Sequence, residues 1–264
     1  MRSWAYRKDK ILKQIGERSY ASVADLAKKL GCSQMTVRRD LSKLETEGLL
    51  ERSHGGASAT RMMRLEFAVA ERAGRRATEK AAIARAAAEL VGPGQKLILD
   101  IGTTTLALAR ELRSRQSIAV VTPSLAVVSV LLSAPGIECI LLGGTVRETA
   151  PDLFGPILED NLSRIHTDWA FVGCDGLSPS GGITASDPRT ARSTGLMIQC
   201  ATKAALIVDS SKAGADSFIR YARFEDFDYL ITDDGMPAEV LDAARAAEVQ
   251  VITVKAENTR ENGK

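Results

Sequence analysis

The chain has 264 residues, 45% of them hydrophobic, enough for one large or two ordinary cores, and no apolar run approaches the roughly 18 residues that span a bilayer. Met1 to Lys13 is basic and mixed, without the apolar stretch of a secretion signal, so a cytoplasmic protein with no membrane contact is expected. The net charge of +2 hides an asymmetry: residues 1–64 hold 14 Lys/Arg against 7 Asp/Glu (+7) and the rest 21 against 26 (−5), as expected of a basic module for a polyanion joined to a mildly acidic one.

Ile11, Leu12 and Ile15 lie at helical spacing and predict a first amphipathic helix, and Val23, Leu26, Ala27 and Leu30 predict a second. Gly31-Cys32-Ser33 breaks the pattern, Gly31 suiting a helix C-terminus and Ser33 the N-cap of the next helix. In that third helix Val37, Leu41 and Leu44 fall in one narrow sector at about 100° per residue and face the core. Met35, Arg39, Ser42 and Lys43 lie roughly opposite, with Gln34, Thr36 and Arg38 on the flanks. The spacing predicts a tight helix-turn-helix whose exposed face meets the DNA major groove. Arginine can fork onto guanine, glutamine can pair with adenine, and lysine or the capping Ser33 can hold phosphate. Gly48-Leu49-Leu50-Glu51-Arg52 and Ser53-His54-Gly55-Gly56 then read as a strand and a glycine-rich turn, a β-wing that brings Arg52 and His54 to the DNA backbone or minor groove.

Residues 59–76, which include Arg61, Arg64, Arg72, Arg75 and Arg76, read as a connecting segment with some helical character. An alanine-rich helix is expected from Thr78 to about Val91, stopped by Gly92-Pro93-Gly94. Short apolar runs follow at 97–99, 118–121, 140–142, 169–172, 205–208, 229–231 and 249–252, most of them separated by helical stretches. They predict an α/β, Rossmann-like domain, a largely parallel sheet covered on both faces, over 77–264.

Open α/β sheets bind ligands beyond the carboxyl ends of their strands, and five strand ends here are rich in small polar groups. They are Asp100-Ile101-Gly102-Thr103-Thr104-Thr105, Thr122-Pro123-Ser124, Gly143-Gly144-Thr145-Val146-Arg147, Gly173-Cys174-Asp175-Gly176 and Asp209-Ser210-Ser211-Lys212. Gly102 lets a backbone approach an anion, and Thr103, Thr104 and Thr105 offer hydroxyls and amides where a helix begins, which suits phosphate. Lys212 and Arg147 add positive charge, while Asp100, Asp175 and Asp209 can accept hydrogen bonds from sugar hydroxyls. The expected effector site is therefore Asp100, Gly102, Thr103, Thr104, Thr105, Thr122, Gly143, Gly144, Arg147, Asp175, Gly176, Asp209 and Lys212.

Arg7, Ile11 and Ile15, then Ser33-Gln34-Met35-Thr36-Val37-Arg38-Arg39-Asp40-Leu41, then Glu47-Gly48-Leu49-Leu50-Glu51-Arg52-Ser53-His54-Gly55-Gly56-Ala57 together closely resemble the signature of the DeoR family of bacterial repressors, and the resemblance continues to about Thr253. It implies a winged helix-turn-helix over 1–58 and a sensor domain similar in fold to ribose-phosphate isomerases, glucosamine-phosphate deaminases and coenzyme A transferases. It further implies repression of carbohydrate genes through double-stranded operator DNA, control by a phosphorylated sugar or polyol, and a homodimer or homotetramer. Ile101, Pro123 and Thr190 stand where the family more often has Ser, Asn and an acidic residue, which predicts a drier pocket.

The competing reading is a sugar-phosphate isomerase or deaminase with an appended DNA-binding arm. Isomerisation needs a placed acid or base, and the only histidines are His54 in the wing and His166 beside a strand start. GxSxG, GxxxxGK[ST] and HExxH motifs are lacking. Cys32, Cys139, Cys174 and Cys200 are scattered without a CxxC pair and read as reduced, mostly buried thiols, so neither metal nor cofactor is expected.

Overall fold

Three serines, each ahead of an apolar periodic run, set the first three helices. Ser3, Ser22 and Ser33 accept from the amides of Tyr6, Asp25 and Thr36 and cap α1 (Trp4–Arg18), α2 (Val23–Leu30) and α3 (Gln34–Thr46). The computed structural model describes residues 3–180 and 182–256, and contacts divide the chain into two units, Met1–Arg72 and Ala73–Lys264.

In the first unit Ile11, Ile15, Leu26, Val37, Leu41 and Leu44 are fully buried and form one core. The wing is the antiparallel hairpin of β2 (Leu50–Ser53) and β3 (Gly56–Ala59). A third strand, β1 (Tyr20–Ser22), pairs with β3; its three residues carry no legible period. Residues 59–76 depart from the expected connection. Arg61–Gly74 is the helix α4, whose Met63 is buried in the winged-helix core and whose Phe67 packs against it, so this unit extends to Arg72.

The second unit begins with α5 (Ala77–Glu89) and then alternates: β4 (Lys96–Leu99), α6 (Thr103–Leu112), β5 (Ile118–Thr122), α7 (Leu125–Leu131) and β6 (Ile137–Leu141). A small hairpin, β7 (Thr145–Val146) and β8 (Leu153–Phe154), precedes α8 (Pro156–Leu162) and β9 (Thr167–Val172). There follow β10 (Gly176–Leu177), β11 (Ile183–Ala185), α9 (Pro188–Gln199), β12 (Ala201–Ile207), β13 (Ile219–Ala222), β14 (Tyr229–Asp233), α10 (Ala238–Ala246) and β15 (Gln250–Val254). All seven expected runs enter one parallel sheet, in the order β15-β14-β12-β9-β4-β5-β6.

Alternation along the strands gives the sheet two apolar faces. Ile98, Ala170, Val172, Ala204 and Leu206 pack with Leu158, Leu162, Met197 and Val240 of α8, α9 and α10, while Leu97, Leu99, Trp169 and Phe171 point to the opposite face and are also buried. The three-stranded sheet β10-β11-β13 was not legible in the sequence. Among the described residues no helix is long and apolar enough to cross a membrane. The four cysteines are free but half-buried, more open than expected.

Candidate functional site

On α3, Gln34, Met35, Arg38, Arg39 and Lys43 are exposed and Thr36 and Ser42 half-buried. Ser33 is committed to its cap and also bonds the Thr36 hydroxyl at 3.0 Å. Neither Arg38 nor Arg39 has a hydrogen bond or ion pair through its side chain among the described residues. Arg52, at the start of the wing, donates to the Ser42 hydroxyl at 2.8 Å, which ties wing to helix. Lys43 places its ammonium 4.5 Å from the centre of the Trp4 ring, a contact the sequence did not announce. His54 is exposed at the wing tip. Beneath this surface Arg7 grips Asp40 bidentately, Nε to Oδ2 at 2.6 Å and Nη2 to Oδ1 at 3.1 Å, with both side chains less than a tenth exposed. The hydrogen bond it donates to Asp40 holds the Arg7 guanidinium above its already high range.

In the second unit, successive strands run outward from β4 in both directions: β5 and β6 to one side, β9, β12 and β14 to the other. Chain direction across the sheet therefore reverses beside β4, and the crevice of an open α/β sheet lies at such a point. Asp100 and Gly102 follow β4, Gly173 to Asp175 follow β9, and Asp209 to Lys212 follow β12.

Gly102 takes φ 128 and leads into α6, whose first turn carries the amides of Thr103, Thr104 and Thr105 with no preceding carbonyl available to them. Gly144 takes φ 152, and a Cβ there would lie 2.8 Å from the Phe154 carbonyl oxygen, so only glycine lets β7 and β8 close beside the rim. Lys212 is half-buried and close enough to Cys174 for its charge to act on that thiol. Its ammonium has no hydrogen bond or ion pair among the described residues. Burial nonetheless pushes the Cys174 thiol up to about 12.

The neighbouring acids are already partnered. Asp175 accepts from the Ser186 amide at 2.8 Å and hydroxyl at 2.7 Å, and Asp209 accepts from the amide and hydroxyl of Ser211. Asp100 is buried, accepts from Thr194 at 3.2 Å, and is pushed up to about 7 by burial, against the pull of hydrogen bonds from the Ile101 amide, Thr194 and the Gly173 amide.

Several of the expected contact residues already hold partners within the fold. The Thr122 hydroxyl is buried, donating to Leu99 O at 2.7 Å and accepting from the Ser124 amide at 3.1 Å. Arg147 forms a fork with Asp152 at 2.7 and 2.5 Å, which makes it a clamp on the loop before β8. Thr105 turns its hydroxyl back to Gly102 O at 3.0 Å and offers only its amide. Gly176 is buried where an added Cβ would meet Ala215 O at 2.1 Å, a close-packing glycine. Gly143 is half-buried in the loop after β6. Pro123 gives its carbonyl to the Leu153 amide at 3.0 Å, and Thr190 is buried and donates to Asp187 O at 3.0 Å.

The sequence reading missed Thr194, Tyr221 and Asp233. Thr190, Ser193 and Thr194 form a buried polar stripe on α9, legible only once that face is known to cover the sheet. Tyr221 donates to Gly173 O at 2.5 Å and pins the loop after β9. Arg76, in a left-handed conformation at φ 56, donates to Asp233 at 3.0 Å and to Ser210 at 2.5 Å, beside the turn that holds Lys212. Burial pushes Asp233 upward, but hydrogen bonds from Ser210 and Gly235 and the Arg76 charge outweigh it and hold the carboxyl below its usual range.

The raised Asp100 carboxyl has a consequence for stability. Its proton is retained in the fold where the unfolded chain, at about 3.8, has released it. This contribution is present at low pH and is lost as pH rises through about 7. Denaturant unfolding should find the sensor unit less stable at pH 8 than at pH 5 by on the order of 2 kcal/mol from this group, and Asp100→Asn should remove most of that difference. An unaltered pH slope in Asp100→Asn would refute the assignment.

An exposed helix with a wing, followed by an α/β unit whose strand order reverses beside β4, is the architecture of a DNA-binding transcriptional regulator with a separate sensor. Comparison with known proteins agrees: the DeoR-like helix-turn-helix domain matches residues 7–61, and the DeoR C terminal sensor domain matches residues 75–234. The chain is 36% identical over 250 residues to the HTH-type transcriptional regulator GlpR of Haloferax volcanii, covering 94% of this chain and 97% of that one. It is 28% identical over 245 residues to the glycerol-3-phosphate regulon repressor of Escherichia coli strain K12, covering 93% and 97%. A ribose 5-phosphate isomerase A from Methanocaldococcus jannaschii aligns with 52% of this chain and 55% of its own, at 18% identity and a TM-score of 0.40. The chain belongs to the DeoR family of transcriptional regulators.

Proposed function

We propose that the chain represses genes of carbohydrate or polyol metabolism, and that a phosphorylated sugar or polyol in the crevice beside β4 changes its hold on operator DNA. The observation that carries this reading is Lys212: a half-buried cation without a side-chain partner among the described residues, on the same sheet edge as the first-turn amides of α6. Acids near it already hold other partners, so its charge is available to an anion. The regulon named for the Escherichia coli relative makes glycerol 3-phosphate the first compound to try. A thermal-shift screen of glycerol 3-phosphate with pentose and hexose phosphates should find one that raises the sensor transition, by mass action on the native state. Unphosphorylated counterparts should not.

In this reading Ser33, Gln34, Met35, Thr36, Arg38, Arg39, Ser42 and Lys43, with Arg52 and His54 of the wing, meet DNA, and the module includes α4 because Met63 and Phe67 complete its core. A cytoplasmic location follows from such partners, and a homodimer or homotetramer from paired half-sites. Catalysis is not part of the proposal. His54 is exposed on the wing, and His166 bonds Thr202 at 3.0 Å at the amino end of the sheet, opposite the crevice.

Arg39→Ala should weaken operator binding by about 1 to 3 kcal/mol and relax specificity at one base. Lys43→Ala should weaken binding to all sequences alike and flatten the salt dependence. Titrations of both variants at several salt concentrations check this, and unchanged affinity in both would move the DNA surface elsewhere.

A further inference from the structure

We infer that each operator half-site carries a thymine whose 5-methyl group seats on Met35, within about two base pairs of a guanine read by Arg39. The inference rests on the reading of α3 as the DNA-reading helix and adds to it the identity of two bases. Met35 is 72% exposed, more than Tyr6 at 37%, Tyr20 at 43% or Met62 at 59%, the other large exposed apolar side chains of this unit. It stands in the first turn of α3, on a surface that is otherwise Gln34, Thr36, Arg38 and Arg39.

The N-terminal residues of such a helix reach the base edges, and the thymine methyl is the apolar group that the major groove displays. A thioether side chain, flexible and polarisable, suits that contact. Arg39 lies four residues on and therefore on the same face, about 6 Å further along the axis. With base pairs about 3.4 Å apart, that rise spans roughly two steps. One turn beyond, Ser42 is held by Arg52 at 2.8 Å, so the stripe ends in a wing-anchored cation suited to phosphate. The order along the helix is therefore apolar contact, free guanidinium fork, backbone clamp.

The test uses the full-length chain and a duplex that it selects from random-sequence DNA. Each thymine of the selected duplex is replaced in turn by uracil, which deletes the methyl and keeps the pairing edge. Burial of one methyl group corresponds to a factor of about four in affinity. One position per half-site should lose about fourfold, and symmetric replacement at both should lose roughly fifteenfold. Met35→Ala should bind the thymine and uracil duplexes alike, Met35→Leu should keep part of the discrimination, and 7-deazaguanine within two base pairs should weaken the wild type but not Arg39→Ala. If Arg39→Ala weakens binding while no uracil substitution does, or if Met35→Ala keeps the uracil penalty, the thymine contact is wrong and the DNA surface stands. If neither Met35→Ala nor Arg39→Ala alters affinity, the DNA surface itself is wrong.

Discussion

Lys212→Glu should yield a regulator that holds its DNA and ignores its effector. The substitution puts a carboxylate where the proposed phosphate lies, and two like charges in a partly desolvated crevice repel by several kcal/mol, so effector affinity should fall by at least about a hundredfold, or ~2.7 kcal/mol. The fold should tolerate the change. Lys212 holds no ion pair among the described residues, and Asp175 and Asp209 keep Ser186 and Ser211 as partners. Calorimetry with the effector and DNA titration without it separate the two roles. Undiminished effector affinity would remove Lys212 from the site, and loss of DNA binding without effector would make it a residue of fold or assembly.

Arg7→Ala should have the opposite distribution of effects. It strands the Asp40 carboxylate, 4% exposed, beneath the reading helix with its bidentate partner gone. Breaking a buried pair from one side costs about 3 to 5 kcal/mol, a large share of the 5 to 15 kcal/mol that typically holds a domain together. The winged-helix transition should fall in temperature and DNA binding should be lost, while effector binding by the sensor survives. Replacing both partners with apolar residues of similar volume should recover much of the stability, because no charge is then left buried. A single Arg7→Ala variant as stable and as competent for DNA as the wild type would show that the pair contributes little.

These two sites differ in how far the sequence discloses them. Lys212 lies in a strand-end cluster of small polar residues, and parallel topology brings such ends to one edge, so its place followed once the seven apolar runs were read as strands. Val37, Leu41 and Leu44 were equally legible, since helical period and burial coincide. The Arg7–Asp40 pair joins residues 33 apart in sequence; its one local sign is that Asp40 falls three residues after Val37, on the buried side of α3. The internal partners of Thr122 and Arg147 are hidden in the sequence for a related reason. A hydroxyl or guanidinium at a strand end serves a ligand or a loop equally well, and the choice depends on Leu99 O and Asp152, which periodicity does not locate. Strands of two or three residues, such as β1 and β10, carry no pattern and exist through their neighbours. The helical character of residues 59–76 was legible, but not that α4 belongs to the winged-helix core through Met63 and Phe67, whose spacing of four places both on one face.

Effector-controlled DNA binding is tested by following DNA and effector in one sample. The full-length chain is bound to its selected duplex at fixed salt and titrated with glycerol 3-phosphate and with pentose and hexose phosphates, while DNA affinity is read by fluorescence anisotropy and the compound by phosphorus NMR. One phosphorylated compound should change DNA affinity at least tenfold, which requires a differential affinity of at least about 1.4 kcal/mol between the two states, and that compound should be recovered unchanged. Binding no tighter to the selected duplex than to random DNA, no response to any compound in the series, or conversion of the effective compound to a product would contradict the proposed function.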